Sequence, residues 1–312
     1  MPALLGDQRL LDTKFIQYIF FIFLLLFHKS SYSSEFVLTS EMNIVGEVTQ
    51  YLAKEDDTFV KIARDYNLGF NELIMANPEV DPWLPGEGSL ILLPTRFILP
   101  SSIKREGIVI NLPELRLYYF PEDRPNILVT HPISIGRMEW GTPIVNTSIF
   151  SKSKNPTWYP PQSIIEERKS QNRPINSIVP PGPDNPLGSH ALRLNLPGYL
   201  IHGTNMPAGV GMRVTHGCIR MFPEDIEDLY FDVPKGALVQ IINQPFKIGN
   251  VGEQYFLEAH PPLEDTMDDI GSIMTELTKS YISFFEKGML DFNWDYAEEI
   301  IANSNGIPVT IN

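Results

Sequence analysis

Alternating apolar and polar positions dominate residues 103–243 and predict a domain built mainly from β strands. The clearest case is GIVINLPELRLYYF (107–120), which alternates on both sides of a Leu-Pro-Glu turn, as a hairpin does. A helical pattern appears at 223–231, with Pro223 in its first turn and acidic residues beside it. These elements predict a β-sandwich or barrel. Further strands are predicted at 126–136, 142–150, 190–195, 199–204 and 237–243.

A second pattern, with helical spacing, occupies residues 44–97. EVTQYLA (47–53) alternates like a strand, and Asp57 is placed to cap the helix that follows it. A second short helix, NELIMAN (71–77), ends at a proline, and SLILLP (89–94) predicts a closing strand. The order β-α-α-β predicts a small module that either binds a ligand or has only a structural role.

Two other segments lack the strand pattern. Residues 151–189 show little periodicity, and eight prolines fall within 156–186. A run of this length inside a domain is typical of a lid or binding loop, so we interpret it as a cover over the substrate, with a rigid scaffold loop as the alternative. Residues 246–312 contain helical patterns at 267–287 and 293–304. We interpret them as an appendage that packs on the main domain, either to recruit a protein acceptor or as a stability cap.

The N-terminus carries an apolar run, FIQYIFFIFLLLF (15–27), after two basic residues. A membrane span needs about 20 apolar residues, so this run is short for one and fits a signal peptide. The small residues that follow predict cleavage after Ser33, which makes 1–33 the signal peptide; an uncleaved anchor is the alternative. We therefore expect a protein outside the cytoplasm that meets the membrane only through this segment, before cleavage.

Composition narrows the function further. The 312 residues are 43% apolar and carry 38 acidic and 24 basic side chains, a net charge of −14. A general nucleic-acid-binding protein would show a basic surface, so nucleic acid is not an expected partner. The single cysteine excludes an internal disulfide and a CxxC site. An unpaired thiol in an oxidising compartment is explained by burial or by chemistry.

That cysteine lies in IHGTNMPAGVGMRVTHGCIRM (201–221), which holds the candidate chemistry. A cysteine attacks as its thiolate and needs a base, and either His202 at a strand end or His216, two residues before Cys218, can reach the sulfur. The amides of Gly217 and Cys218 are candidates for an oxyanion hole, and Arg220 suits a carboxylate. The alternatives are a buried cysteine, histidines of the core, or a zinc site formed by His202, His216 and Cys218 without an evident fourth ligand.

The pair His202-Gly203 followed by Thr215-His216-Gly217-Cys218-Ile219-Arg220 resembles the active-site signature of L,D-transpeptidases with a YkuD-type catalytic domain. The stretches EGIVIN, ELRLYYFP, PTWYPP, VPPGPDNPLG and PEDIEDLYF are similar to the Gram-negative ErfK/YbiS/YcfS/YnhG branch of that family. The module at 44–97 resembles a LysM domain through DDTFVKIARDYN, NELIMANP and SLILLP. The resemblance is weakest after residue 245.

The resemblance implies a YkuD-like β domain at 103–243 and a role for each motif residue. Cys218 would be the nucleophile and His202 the general base, with the Gly203 carbonyl orienting its second ring nitrogen. Backbone amides around Gly217 and Cys218 would hold the oxyanion. For substrate binding, the residues implied are His216, Arg220 and Trp158, with packing as the alternative role for Trp158.

The implied reaction starts on a peptidoglycan tetrapeptide stem. The thiolate attacks the carbonyl of meso-diaminopimelate at position 3 and expels D-alanine, and an amine then takes the acyl group from the thioester. The amine would come from a second diaminopimelate or from a lysine of an outer-membrane lipoprotein, in the periplasm, and the LysM-like module would bind the glycan. No metal or other cofactor is expected. A cysteine hydrolase on the same scaffold and a non-catalytic wall-binding protein are the alternative functions.

Overall fold

A computed structural model of the chain describes residues 34–263, 270–285 and 292–311. The predicted signal peptide and its apolar run lie outside the described residues. Among the helices that are described, none is both long enough and apolar enough to cross a membrane.

Eighteen strands and six helices are assigned in the described ranges. The strands are β1 (Ser34–Val37), β2 (Ile44–Gly46), β3 (Thr49–Leu52), β4 (Leu90–Leu93), β5 (Arg96–Ile98), β6 (Gly107–Asn111), β7 (Arg116–Phe120), β8 (Ile127–Pro132), β9 (Ile135–Gly136), β10 (Val145–Lys154), β11 (His190–Leu194), β12 (Leu200–His202), β13 (Arg213–Thr215), β14 (Ile219–Arg220), β15 (Leu238–Ile242), β16 (Phe246–Val251), β17 (Gln254–Ala259) and β18 (Val309–Thr310). The helices are α1 (Phe59–Asp65), α2 (Phe70–Ala76), α3 (Gln162–Ser170), α4 (Pro223–Asp232), α5 (Ile270–Phe284) and α6 (Trp294–Asn303).

Nine strands form the main sheet, in the order β1-β8-β7-β6-β15-β10-β11-β12-β14. The predicted hairpin is confirmed, since β6 and β7 pair antiparallel from Gly107 opposite Phe120 to Asn111 opposite Arg116. Two neighbour pairs are parallel, β15 with β6 and β12 with β14. The chain is therefore mainly β in its catalytic part, as predicted. The predicted strand at 126–136 is divided into β8 and β9.

The largest apolar core lies against this sheet. Alternate side chains of its strands are fully buried there, and α4 contributes two further buried side chains, Ile226 and Leu229. A strand buries every second residue, and α4 buries residues three apart, so the local periods account for this core. It holds the central strands rigidly beside one another.

The β-α-α-β order predicted for 44–97 is present as β3, α1, α2 and β4, and β3 pairs antiparallel with β4. The capping residue was predicted wrongly. Thr58 is the N-cap of α1 and accepts from the Lys61 amide at 3.3 Å. Asp57 instead receives the Lys54 amide, the Tyr51 hydroxyl and the Lys61 ammonium. The carboxylate therefore ties the helix start to β3.

This module shares its core with the main sheet. Its buried side chains form one apolar cluster with the outer face of the β6–β8 strands, through Val109, Tyr118, Phe120 and Leu128. Glu72 of α2 and Arg116 of β7 form a buried ion pair, 2.8 Å from Nη2 to Oε1. The predicted boundaries 44–97, 103–243 and 246–312 stay predictions, since residues 33–312 form one unit in the structure.

The C-terminal region contains a sheet that the sequence patterns did not predict. β16, β17 and β18 form it, and α5 and α6 cover one face of it. The two helices lie within the predicted 267–287 and 293–304, of which 267–269 and 286–287 are outside the described residues. The helical appendage is thus a small α/β layer.

The proline-rich segment also contains an element that was not predicted. Helix α3 spans Gln162–Ser170 and buries one side chain, Ile164. A short helix with so little apolar surface has no stripe for a sequence pattern to detect. Trp158 and Val179 exchange two backbone hydrogen bonds of 2.9 Å, which closes the segment into an ordered loop.

Candidate active site

The parallel pair β12–β14 brings the two halves of the motif together. Ile201 lies opposite Ile219, and His202 lies opposite Arg220. Cys218 directly precedes β14, so its side chain points to the same face as that of Arg220, two residues later. His202 and Cys218 therefore share one face of the sheet although sixteen positions separate them.

A cleft of about 630 Å³ opens on this face. The predicted side chains Cys218, His202, His216, Arg220 and Trp158 all line it. Gly203 and Gly217 are buried behind them. The structure thus brings the predicted site residues together, whereas their individual roles stay predictions. Residues that line the cleft without having been predicted include Ile164, Arg168 and Leu200.

His202 has the environment of a neutral base. Its side chain is buried, and its Nδ1 lies 2.6 Å from the carbonyl oxygen of Gly203. Nδ1–H donates in this bond, which leaves the lone pair of Nε2 free. Burial, followed by the charge of Arg220, lowers the pKa of His202 to about 4. The imidazole is therefore uncharged and able to take a proton at neutral pH.

Cys218 is half-buried, and its Sγ lies 3.5 Å from the Gly198 carbonyl oxygen. Burial raises the pKa of the Cys218 thiol, and the Leu200 backbone N–H and the Arg220 charge act in the opposite direction. The resting pair is therefore a thiol beside a neutral imidazole. A thiol in this state needs a general base at the moment of attack.

The tight turn at 215–218 holds the nucleophile. The Thr215 hydroxyl donates to the Cys218 carbonyl oxygen at 2.6 Å. Gly217 has φ +96°, and a Cβ there would lie 3.0 Å from Cε1 of Tyr199, so glycine is required. Within the described residues, the amides of Gly217 and Cys218 donate no hydrogen bond, which leaves both available to an oxyanion.

Thr142 is a positioning residue that the sequence patterns missed. Its Oγ1 accepts from the Gly136 amide at 3.0 Å and donates to the Gly217 carbonyl oxygen at 2.9 Å. The hydroxyl therefore fixes the peptide group between Gly217 and Cys218, whose own N–H would bind the oxyanion. No local signal marks Thr142, because its partner lies 75 positions away.

The two histidines have different partners. His216 Nε2 lies 2.6 Å from Oε2 of Glu167, on α3, and its ring packs edge-on against Trp140. Arg137 pairs with the other carboxylate oxygen of Glu167. Hydrogen bonds from Arg137 and then His216 lower the pKa of Glu167 to about 2. Arg137 and Glu167 belong to the site and were not predicted.

The zinc alternative does not fit this geometry. Among the described residues, one set of three His, Cys, Asp or Glu ligand atoms lies within 4.8 Å of one another, and it consists of Glu114, Glu258 and His260, away from the cleft. The Lys247 ammonium already contacts both carboxylates of that set, at 2.8 and 2.7 Å. His202, His216 and Cys218 do not form such a set.

Comparison of the chain with known proteins points to the family that the motif resembles. The family model described as the L,D-transpeptidase catalytic domain of YkuD type matches residues 105–241. The probable L,D-transpeptidase YcfS of Escherichia coli K12 is 38% identical over 274 residues, which cover 86% of this chain and 85% of YcfS. The chain belongs to the L,D-transpeptidase family.

Two further relatives cover similar lengths of this L,D-transpeptidase. The probable L,D-transpeptidase YbiS of Escherichia coli K12 is 39% identical over 80% of this chain and 82% of its own. The probable L,D-transpeptidase ErfK/SrfK of the same strain is 36% identical over 80% and 81%. The catalytic match contains the whole His202–Arg220 motif, and residues 44–97 lie outside it.

Proposed function

We propose that this L,D-transpeptidase acts in the periplasm and transfers the acyl group of a peptidoglycan tetrapeptide stem to an amine. One observation carries the proposal. The Cys218 thiol and the neutral, carbonyl-anchored imidazole of His202 line the same cleft, beside two unused backbone amides. That set contains a nucleophile, a base and an oxyanion hole.

In the first half-reaction, Sγ of Cys218 attacks the carbonyl of meso-diaminopimelate while Nε2 of His202 takes the thiol proton. The Gly217 and Cys218 amides receive the negative charge of the tetrahedral oxygen. His202 then returns the proton to the departing amine of D-alanine, and a thioester remains on Cys218. His202 is neutral before and after this step, as its low pKa requires.

In the second half-reaction, an acceptor amine attacks the thioester and loses a proton to His202, and the thiol reforms. A diaminopimelate amine would give a 3→3 cross-link, and a lysine amine would anchor an outer-membrane lipoprotein. Water in place of the amine would give hydrolysis. The three outcomes share one acyl-enzyme, so the acceptor decides between them.

The cleft suits an anionic stem peptide. Arg168, Arg193 and Arg220 line it, and within the described residues none of the three pairs with a carboxylate. Nε of Arg220 is buried without a hydrogen-bond partner. Trp158 adds an aromatic surface on the same wall. These groups match the several carboxylates of a diaminopimelate-containing stem.

Export and glycan binding complete the proposal. The apolar run at 15–27 would direct export with cleavage after Ser33, and the LysM-like module at 44–97 would bind the glycan. The backbone amide of Phe70, in α2, donates to the Val210 carbonyl at 3.2 Å, in the loop before the catalytic turn. A glycan bound to this module would therefore lie on a body fixed to the active site.

The test uses the chain without residues 1–33, a disaccharide-tetrapeptide donor and a diaminopimelate-containing acceptor, followed by intact mass. We expect a tripeptide adduct, released D-alanine and an amide product from the wild type, and none of these from Cys218→Ala. His202→Ala should acylate at least about 100-fold more slowly, the usual contribution of a general base.

His216→Ala is the comparison variant, because it removes the other histidine of the motif and leaves the base in place. It should weaken donor binding, while acylation at saturating donor stays well above that of His202→Ala. Equal acylation by His202→Ala and the wild type would refute the assignment of the base. Free tripeptide as the sole product, with acceptor present, would favour the hydrolase over the transferase.

A further inference from the structure

Helix α3 buries only Ile164, and its polar contacts with the rest of the protein come from one side chain. In the part of the chain that the structure describes, the hydrogen bonds and ion pairs from α3 to residues beyond the adjoining turns all come from Glu167. The same helix contributes Ile164 and Arg168 to the wall of the cleft, one turn or less from Glu167. The polar anchoring of this wall therefore depends on the partners of one carboxylate.

Those partners form a receptor for a carboxylate. Arg137 presents Nη2 to one oxygen of Glu167, and His216 presents Nε2 to the other. The two donors lie 3.4 Å apart, so they form one continuous site. Arg137 Nε is buried without a hydrogen-bond partner and lies 3.5 Å from Oε2 of Glu139, whose side chain is largely exposed. This is a chemistry that binds a planar carboxylate.

The receptor is fixed to the catalytic turn. The Arg137 amide donates to the Thr215 carbonyl at 3.1 Å, and β9 pairs parallel with β13, with a register shift between Arg213 and Thr215. His216 lies two residues before the nucleophile and lines the cleft. A carboxylate bound to this pair would consequently sit at the edge of the cleft that holds Cys218.

We propose that Arg137 and His216 bind a carboxylate of the stem peptide, and that Glu167 occupies their site in the empty enzyme as an internal substitute. Donor binding then exchanges one carboxylate for another, so the charge of the receptor stays balanced. The exchange releases α3 from its contacts with Arg137 and His216, and it thereby changes the wall of the cleft. This inference rests on the proposed function, since it assumes a donor rich in carboxylates.

The experiment measures donor affinity in the Cys218→Ala background, where no turnover occurs. The probes are the disaccharide-tetrapeptide and three analogues, in each of which one carboxylate is replaced by a carboxamide. For the parent donor, Arg137→Gln should weaken binding about tenfold, the size of one lost charge-assisted contact. Glu167→Gln should instead tighten it several-fold, because the competing internal charge is gone.

The matched control is Glu166→Gln, which removes the same charge from the adjacent exposed position. Among the described residues, the Glu166 side chain has a hydrogen bond only with Gln162 of its own helix. It should leave the affinity unchanged. One carboxamide analogue should bind the Cys218→Ala protein about tenfold more weakly than the parent donor does. In the Arg137→Gln variant, that analogue and the parent donor should bind with the same affinity. Amide exchange of residues 162–170 should rise when the parent donor binds.

Two results would overturn the inference while leaving the proposed function intact. One is that the parent donor binds more tightly than a carboxamide analogue by the same factor with and without the Arg137→Gln change. The other is weaker binding of all four donors to Glu167→Gln, which would make Glu167 a structural fastening alone. Failure of every donor to bind the Cys218→Ala protein would contradict the proposed function as well.

Discussion

At the scale of single residues, the two histidines of the motif have different surroundings and therefore different roles. His202 is buried, donates through Nδ1 to its neighbour's carbonyl and keeps Nε2 free. His216, at the edge of the cleft, forms a hydrogen bond from its Nε2 to Glu167. Both histidines line the same cleft, but the free lone pair belongs to His202.

This difference predicts an unusual pH dependence. A base acts only while unprotonated, and the pKa of His202 is lowered to about 4, so activity is present above that pH and lost as pH falls through it. We expect the acid limb of kcat/KM for donor acylation near pH 4, below the ~6.5 of an ordinary imidazole. Release of D-alanine measured from about pH 3.5 to 8 tests this.

Arg220→Gln provides the comparison. Arg220 is the second cause of the lowered pKa of His202, so removing its charge should move the acid limb upward. A limb at ~6.5 in the wild type would contradict the burial argument. An unmoved limb in the variant would leave burial as the whole cause.

At the scale of elements, the buried pair Glu72–Arg116 joins α2 of the small module to β7 of the main sheet. Both Oε atoms of Glu72 receive Nη2 of Arg116, and the guanidinium also lies over the Phe97 ring. Both side chains are almost fully buried. Loss of one partner would therefore leave a buried charge without compensation.

Arg116→Leu should lower the free energy of unfolding by about 3–5 kcal/mol. The control is Arg64→Leu, because Arg64 pairs with Glu224 at 2.7 Å but both side chains are about two-fifths exposed. That change should cost at most about 1 kcal/mol. Urea unfolding of both variants measures the difference, and equal losses would show that burial does not set the strength of this contact.

At the scale of the whole molecule, one buried charge cluster joins three regions of the chain. Lys247 of β16 lies 2.8 Å from Glu114 in the β6–β7 turn and 2.7 Å from Glu258 of β17. Oε2 of Glu258 accepts from the Ile98 amide at 2.6 Å, in β5. The C-terminal layer therefore completes the core of the other two regions, as a stability cap would.

Lys247→Met should lower the free energy of unfolding by about 3–5 kcal/mol, since it leaves two carboxylates buried beside each other. Lys279→Met is the control in the same C-terminal region, where the ammonium is largely exposed and pairs with Glu276. It should change stability by less than about 1 kcal/mol. A thermal unfolding midpoint unchanged in Lys247→Met would contradict this stabilising role of the C-terminal layer.

The sequence alone determined the parts of this protein that depend on local pattern. Alternation gave the 107–120 hairpin and most strands of the main sheet, and helical spacing gave α1, α2, α4, α5 and α6. The grouping of His202, His216, Cys218 and Arg220 in one cleft also followed from the motif. For the strands and helices the signal lies within a few residues, because their periods are short. The grouping of side chains sixteen positions apart came instead from the resemblance of the motif to a known active-site signature.

Tertiary structure decided everything that joins distant positions. Helix α3 has almost no apolar stripe, and Glu167 meets Arg137 across 30 positions and His216 across 49. Thr142 reaches the Gly217 carbonyl across 75 positions, and Lys247 meets Tyr118 across 129. A local period cannot specify such pairs, because they form only when the order of strands in the sheet brings their backbones together.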